Sequence, residues 1–359
     1  MLTLMDMIER VPSVIEAILE NRKEATKEMM VYIAPRLQEI DEIVLVGSGT
    51  SNTCSQTSRE VVEEVSGIST TAILPNVFLA KKAYNPNALY LFTSQSGTST
   101  LTQEAQKKMK EAGNLVVAMS EADTTPLAKE SGAHVDMGCG NEEFGQRTIG
   151  YCASILTQIM IGMEIGLARG YLSEEAYESY LADARRVPAS HKAICEKTMK
   201  WFDDNKWKLM NVESFALYGA GPLWGVAQEG ALKILEIAKR FLCVGYEMDD
   251  GMHGPTMGFT KKMGIIILND GRNEGIANGL ANYVKKEVGD CFVIGQNTID
   301  ARDLPFDAVG GVFRCLEYAP VVEILAHRLA ADYGIVTKEW KLQDPLPEAK
   351  YFNTHEVGS

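Results

Sequence analysis

Leu91-Phe92-Thr93-Ser94-Gln95-Ser96-Gly97-Thr98-Ser99-Thr100 runs from an apolar strand into five hydroxyl side chains and a glycine, just ahead of a helix that begins near Leu101. The backbone NH groups around Ser96 to Ser99 are then the unpaired donors of a first helical turn, and the hydroxyls add more. Such a set suits a dianionic phosphate, which needs many converging donors and not necessarily a lysine. The plainer alternative is an N-cap, the ordinary use of a single Ser or Thr. Gly47-Ser48-Gly49-Thr50-Ser51 is a second turn of this kind, after the apolar run 42–46, and Thr50 and Ser51 join the Ser94, Gln95, Ser96 and Ser99 loop as candidate phosphate ligands. The full dinucleotide glycine spacing is missing there.

A second constellation sits later in the chain. Glu229, Lys233, Glu236 and Arg240 fall at i, i+4, i+7 and i+11, one stripe of a helix read over 226–240, with Ala231, Ile234, Leu235 and Ala238 as the buried stripe. Spacing alone favours a solvated face held by i,i+4 ion pairs worth about a few tenths of a kcal/mol each. His253 precedes Gly254-Pro255, where the plain reading is a satisfied loop histidine before a turn.

The elements that must position these groups alternate. Strands are expected at 42–46, 70–74, 89–93, 115–119 and near 134–137, separated by helices at 53–65, about 79–83, 101–112 and 124–131, after two N-terminal helices within 4–37. Strands separated by helices imply a doubly wound parallel sheet, with both glycine turns at strand C-terminal ends, where open parallel sheets bind ligands. An apolar helix over 151–167 and a polar helical connector over 173–205 follow. Then Phe215-Ala216-Leu217-Tyr218-Gly219-Ala220-Gly221 copies the first glycine turn, so the chain reads as a duplicated α/β fold. In the second copy Asn269-Asp270-Gly271 replaces Ser-Gln-Ser, and the Asp270 carboxylate would repel a phosphate. The expected division is 1–190, with the phosphate-binding copy, and 191–359, with the Glu236 helix, the His253 loop and the tail.

Composition narrows the partners. At 359 residues, with 46% apolar and 23% charged side chains, burial is not limiting. A net charge of -13 and a pI near 5.0 argue against nucleic acid or an anionic membrane. Seven cysteines without a CxxC pair indicate neither a metal ribbon nor a disulfide framework and read as buried, reduced thiols in a cytosol. No apolar run is read as approaching the length of a membrane span, and nothing addresses the chain for export.

Gly49-Thr50-Ser51, Ser94-Gln95-Ser96-Gly97, Glu229-Gly230-Ala231-Leu232-Lys233 with Glu236, and His253-Gly254-Pro255, in order and over about residues 40–330, resemble the double sugar-isomerase (SIS) domain of glucosamine-6-phosphate synthase and of the fructosamine-6-phosphate deglycases. The resemblance implies two tandem three-layer, flavodoxin-like α/β domains. It implies that Glu236 moves a proton between C1 and C2 of an open-chain sugar, a task for which a carboxylate suits if partial burial raises its pKa. Lys233 would bind substrate, and His253 would open the sugar ring in the neighbouring subunit's site, so a homodimer is implied. Departures matter too. The chain begins Met1-Leu2-Thr3 without the synthase's glutaminase domain, so glutamine is not expected as nitrogen donor. Ser99 replaces a threonine, and Gln146-Arg147-Thr148-Ile149-Gly150 stands where the synthase reads Val-Ala-Ser-Thr-Lys, so substrate contacts there, at Gln146 among them, should differ. The synthase ends in a lysine-bearing tail; Lys350 and His355 are both candidates for that role. The expected activity is a cofactor-free deglycase that cleaves a ketosamine 6-phosphate, with an aldose-ketose isomerase, an amino-sugar-phosphate deaminase and a non-catalytic sugar-phosphate sensor as alternatives.

Overall fold

The computed structural model describes residues 3–335, so Lys350 and His355 lie outside the described residues. The described residues divide into two compact units: Val14–Glu143 with Ile149–Ser179, and 3–13 with Phe144–Thr148 and 180–335. The strands are β1 (Glu42–Val46), β2 (Ser69–Ile73), β3 (Ala88–Thr93), β4 (Leu115–Ser120), β5 (Ala133–Asp136), β6 (Ser214–Gly219), β7 (Leu242–Glu247), β8 (Met263–Asn269), β9 (Cys291–Gly295) and β10 (Leu304–Pro305). The helices are α1 (Leu4–Ile33), α2 (Thr50–Ser66), α3 (Pro75–Ala80), α4 (Thr100–Glu111), α5 (Pro126–Lys129), α6 (Ile149–Ala168), α7 (Glu174–Ala184), α8 (Val187–Met210), α9 (Pro222–Lys233), α10 (Glu274–Tyr283) and α11 (Cys315–Asp332).

In the first unit five parallel strands run in the order β2-β1-β3-β4-β5. β3 and β4 are buried along their whole length, the continuous apolar reading that a sheet covered on both faces produces. Val44, Val46, Tyr90, Phe92 and Val116 pack with Phe78, Met109 and Leu127 of α3, α4 and α5 on one face. On the other lie α2 and α6, packed on each other. The second unit has the order β10-β9-β8-β6-β7, the same topology strand for strand, with its core built from Ala216, Tyr218, Ile265, Ile267, Leu280 and Val293. The duplicated, doubly wound fold read from the sequence is therefore the fold observed.

The duplication reaches the backbone angles. Gly49 caps α2 at φ 56°, ψ -130°, and Gly221 caps α9 at φ 54°, ψ -129°. Only glycine adopts that conformation readily. The glycine two residues earlier meets a different constraint in each copy: a Cβ on Gly47 would lie 2.7 Å from that of Ser51, and one on Gly219 would lie 2.1 Å from the Leu223 carbonyl oxygen. Both Gly-x-Gly turns are thus dictated by a helix that starts hard against the strand end.

Three expectations need correction. The N-terminal segment is one 30-residue helix with Pro12 inside, not two. The helix expected near 79–83 starts at Pro75, because a proline is pre-organised for the first helical position. The reading that no apolar run approaches a membrane span also fails: α6 is 20 residues long and apolar enough to cross one. Of that window, 83% is buried inside the protein, which is how the core helix of an α/β unit passes the same test. All seven cysteines are free and six are buried, with burial pushing the Cys195 and Cys291 thiols up to about 12.

Candidate active site

Two clusters carry the residues singled out above, one in each unit. In the first unit β1 is flanked by β2 on one side and β3 on the other, so consecutive connections leave in opposite directions and the β1 and β3 ends form the switch point at which open α/β sheets hold ligands. Val46 and Phe92 are in register, and the turn at Gly47–Gly49 and the loop after Thr93 therefore start side by side. Thr50 and Ser51 are buried at the first turn of α2, and Ser94 is buried at the start of the loop. Ser94 Oγ and Ser99 Oγ are 3.0 Å apart, Ser96 Oγ and Thr98 Oγ1 2.8 Å. Ser99 holds the N-cap position of α4 yet makes no side-chain cap hydrogen bond. Its hydroxyl faces the loop, which weakens the plain capping alternative. Gln95 sits half-buried and donates through Nε2 to Glu142 Oε2 at 3.4 Å. Glu142 also accepts from the Ile149 and Gly150 NH groups at 2.9 and 3.0 Å, a carboxylate on the positive end of α6. Sequence reading missed this link, although an acid shortly before a long apolar helix is a capping signal.

In the second unit α9 ends at Lys233 and the chain continues as a π-helical turn, Ile234–Ala238, which Lys239 closes with a left-handed φ of 54°. Single π turns recur at functional sites. Here the wider turn shifts the helix phase, so the stripe read from 3.6-residue spacing does not continue. Leu235, expected in the core, is 42% exposed and Ile237 is buried instead. Arg240 leaves the stripe altogether and stacks on the Tyr333 ring, 4.4 Å from its centroid. The solvated face favoured by spacing is also overturned, because Glu229 and Lys233 are fully buried where α11 and β7 pack on α9.

Lys233 Nζ lies 3.2 Å from Glu229 Oε1 and 2.9 Å from Glu236 Oε2. Burial works against the ammonium, but the Glu229 and Glu236 carboxylates outweigh it and hold the Lys233 pKa above the ordinary lysine value. Of the three, Glu236 alone reaches solvent, with 39% of its side chain exposed. The arrangement is a buried acid and base anchoring a second acid at the surface, one oxygen of which accepts from Lys233.

His253 ends a short 3-10 turn, Asp250–Met252, with 73% of its side chain exposed and Nε2 3.5 Å from Asp249 Oδ2. Gln146 is half-buried, and its carbonyl accepts from the Thr148 hydroxyl at 3.3 Å. In the second copy Asp270 pairs with Arg314 at 3.6 Å, so the position equivalent to the serine loop carries an ion pair. A groove of about 640 Å³ in the first unit, bordered by Glu24, Lys27, Glu28, Asp123, His134 and Asp136, sets four carboxylates against one lysine and does not suit a phosphate dianion. Among the described residues no three His, Cys, Asp or Glu side chains gather as metal ligands would.

The profile of the SIS domain matches residues 36–165, the range that holds the first sheet. A glutamine--fructose-6-phosphate aminotransferase [isomerizing] of Gloeobacter violaceus is 22% identical over 339 residues, which cover 91% of this chain and 55% of that protein. The chain spans about half the length of the curated relatives it matches. Among solved structures, a Clostridium difficile 630 protein provisionally named a phosphosugar isomerase superposes with a TM-score of 0.85 at 21% identity, covering 95% of this chain and 96% of that one. The C-terminal domain of glucosamine-fructose-6-phosphate aminotransferase from Francisella tularensis gives 0.80 at 17% identity, over 92% and 96%. At such identities the structural likeness speaks for the fold.

Proposed function

We propose that this chain, which belongs to the SIS-domain family, acts on a phosphosugar, and that its reaction is the cleavage of a ketosamine 6-phosphate. Thr50, Ser51, Ser94, Gln95, Ser96 and Ser99 take the phosphate. Glu236 removes a proton from C1 to give an enaminol and returns it at C2 to give an aldimine, and water then releases a hexose 6-phosphate and a free amine. Lys233, held by Glu229, donates to Glu236 and keeps it in place for both transfers. The observation that carries the reading is the chain of ion pairs that runs from Glu229 and Lys233 on α9 to Glu236 on the π turn. Burying two opposite charges is costly, and here they fix a third, solvent-reaching carboxylate in one position, as a proton shuttle requires. The nitrogen on the substrate is favoured because the curated relatives are named for a reaction that places an amine on fructose 6-phosphate.

His253 completes the site as the ring-opening residue, contributed by the second chain of a homodimer. Its high exposure within one chain supports that role. Gln146 makes a further substrate contact. The test is to incubate the purified protein with phosphorylated Amadori compounds of several amines, and with glucosamine 6-phosphate and hexose 6-phosphates, following release of hexose 6-phosphate and amine. Turnover of a ketosamine 6-phosphate is expected. Interconversion of hexose phosphates with no amine release from any compound would overturn the deglycase in favour of an isomerase.

A further inference from the structure

Beneath the hydroxyl loop lies a polar network that the proposed reaction does not use. Gln158, in the middle of apolar α6, is fully buried. Its Oε1 accepts from Ser58 Oγ at 2.5 Å, and its Nε2 donates to Ser55 Oγ at 3.1 Å and to Thr93 Oγ1 at 3.2 Å. Ser55 Oγ in turn donates to the Ser51 carbonyl at 2.9 Å. One amide therefore ties α2, four residues below the Thr50-Ser51 turn, to Thr93, the residue immediately before Ser94. Ser55, Ser58 and Thr93 are themselves completely buried. Packing alone does not call for this arrangement, since apolar side chains of similar volume would fill the α2–α6 contact at no desolvation cost. What a satisfied buried network adds is a single permitted spacing and rotation of the elements it joins.

We propose that Gln158 is a positioning residue that sets the separation of the Thr50-Ser51 turn from the Ser94–Ser99 loop, and with it the affinity for the phosphate group. The inference rests on the phosphate reading given above. A carboxylate or phosphate ligand recognised by several short donors loses most of its affinity when the donors are slightly misplaced, and two loops on separate elements keep their spacing only if something beneath them is rigid.

The test replaces the network by apolar groups. Gln158→Met with Ser55→Ala and Thr93→Val removes the amide together with both of its acceptors, and the Ser58 hydroxyl keeps the carbonyl of residue 55 as its partner. Thr93→Val alone, an isosteric change, cuts only the link to β3 and serves where the triple variant does not fold. Binding of inorganic phosphate and of fructose 6-phosphate is measured by calorimetry beside urea unfolding, with Ser96→Ala as the reference for direct loss of a phosphate ligand. The expected result is that the repacked variant unfolds near the wild-type midpoint yet binds both ligands about tenfold or more weakly, and that Thr93→Val binds them severalfold more weakly. Weakened binding in Ser96→Ala with wild-type affinity in the repacked variant, or in Thr93→Val where only that variant folds, would overturn the role of Gln158 alone. Unchanged affinity in Ser96→Ala would overturn the phosphate reading, and the positioning role with it.

Discussion

Glu229 and Lys233 are the most demanding residues of the second unit, since neither charge reaches water and each needs the other. Lys233→Met should cost about 3–5 kcal/mol by urea unfolding, because it takes the ammonium away from the buried Glu229 carboxylate. Adding Glu229→Gln should recover a large part of that loss, whereas independent effects would simply add. The raised Lys233 pKa fixes the sign of its pH dependence: the contribution is complete below the pKa of an unfolded lysine and is lost as pH rises through the higher folded value. Lysine titration should therefore leave stability flat through neutral pH and reduce it only in strong alkali. At this scale the sequence was only partly informative. The i,i+4 pairing of Glu229 and Lys233 was visible in the spacing, but burial depends on α11 packing from far along the chain, and local spacing favoured a solvated stripe.

The Gly-x-Gly turns carry the argument among the elements. A methyl group at Gly49 would meet no atom within 4 Å, so the cost of Gly49→Ala is conformational and should be about 1–3 kcal/mol. Because that turn opens α2, the variant should also bind phosphosugar more weakly, measured by calorimetry on protein shown to be folded. These turns, the strands and the alternation of helices were legible because each leaves a local mark: an apolar run, a glycine pair, a hydroxyl cluster. The π turn leaves none. Its five residues, Ile234 to Ala238, suit an α-helix equally well, and only the folded chain shows that the phase slips before Glu236. Gln158 was hidden in the opposite way, as one amide within a helix so apolar that its neighbours decided the reading.

The two sheets of the described residues are one topology used twice, with the hydroxyl loop retained in the first copy and replaced by the Asp270–Arg314 pair in the second. Under the proposed function the labour is divided: one copy would supply anion ligands, the other the acid–base helix. If a homodimer completes the site, mixing inactive Glu236→Gln with inactive His253→Ala and allowing chains to exchange should restore part of the activity, because one site in each mixed dimer then has both groups. No recovery despite exchange verified by mass spectrometry would mean that His253 serves its own chain. The central claim, that this molecule enolises a ketosamine phosphate through Glu236, is tested most directly by exchange of the substrate's C1 proton in deuterated water, read by proton NMR. Glu236→Gln keeps the shape but cannot accept a proton, so exchange should slow by about a hundredfold to ten-thousandfold while substrate still binds. Exchange at the wild-type rate in Glu236→Gln, with exchange abolished in Glu229→Gln, would contradict the account.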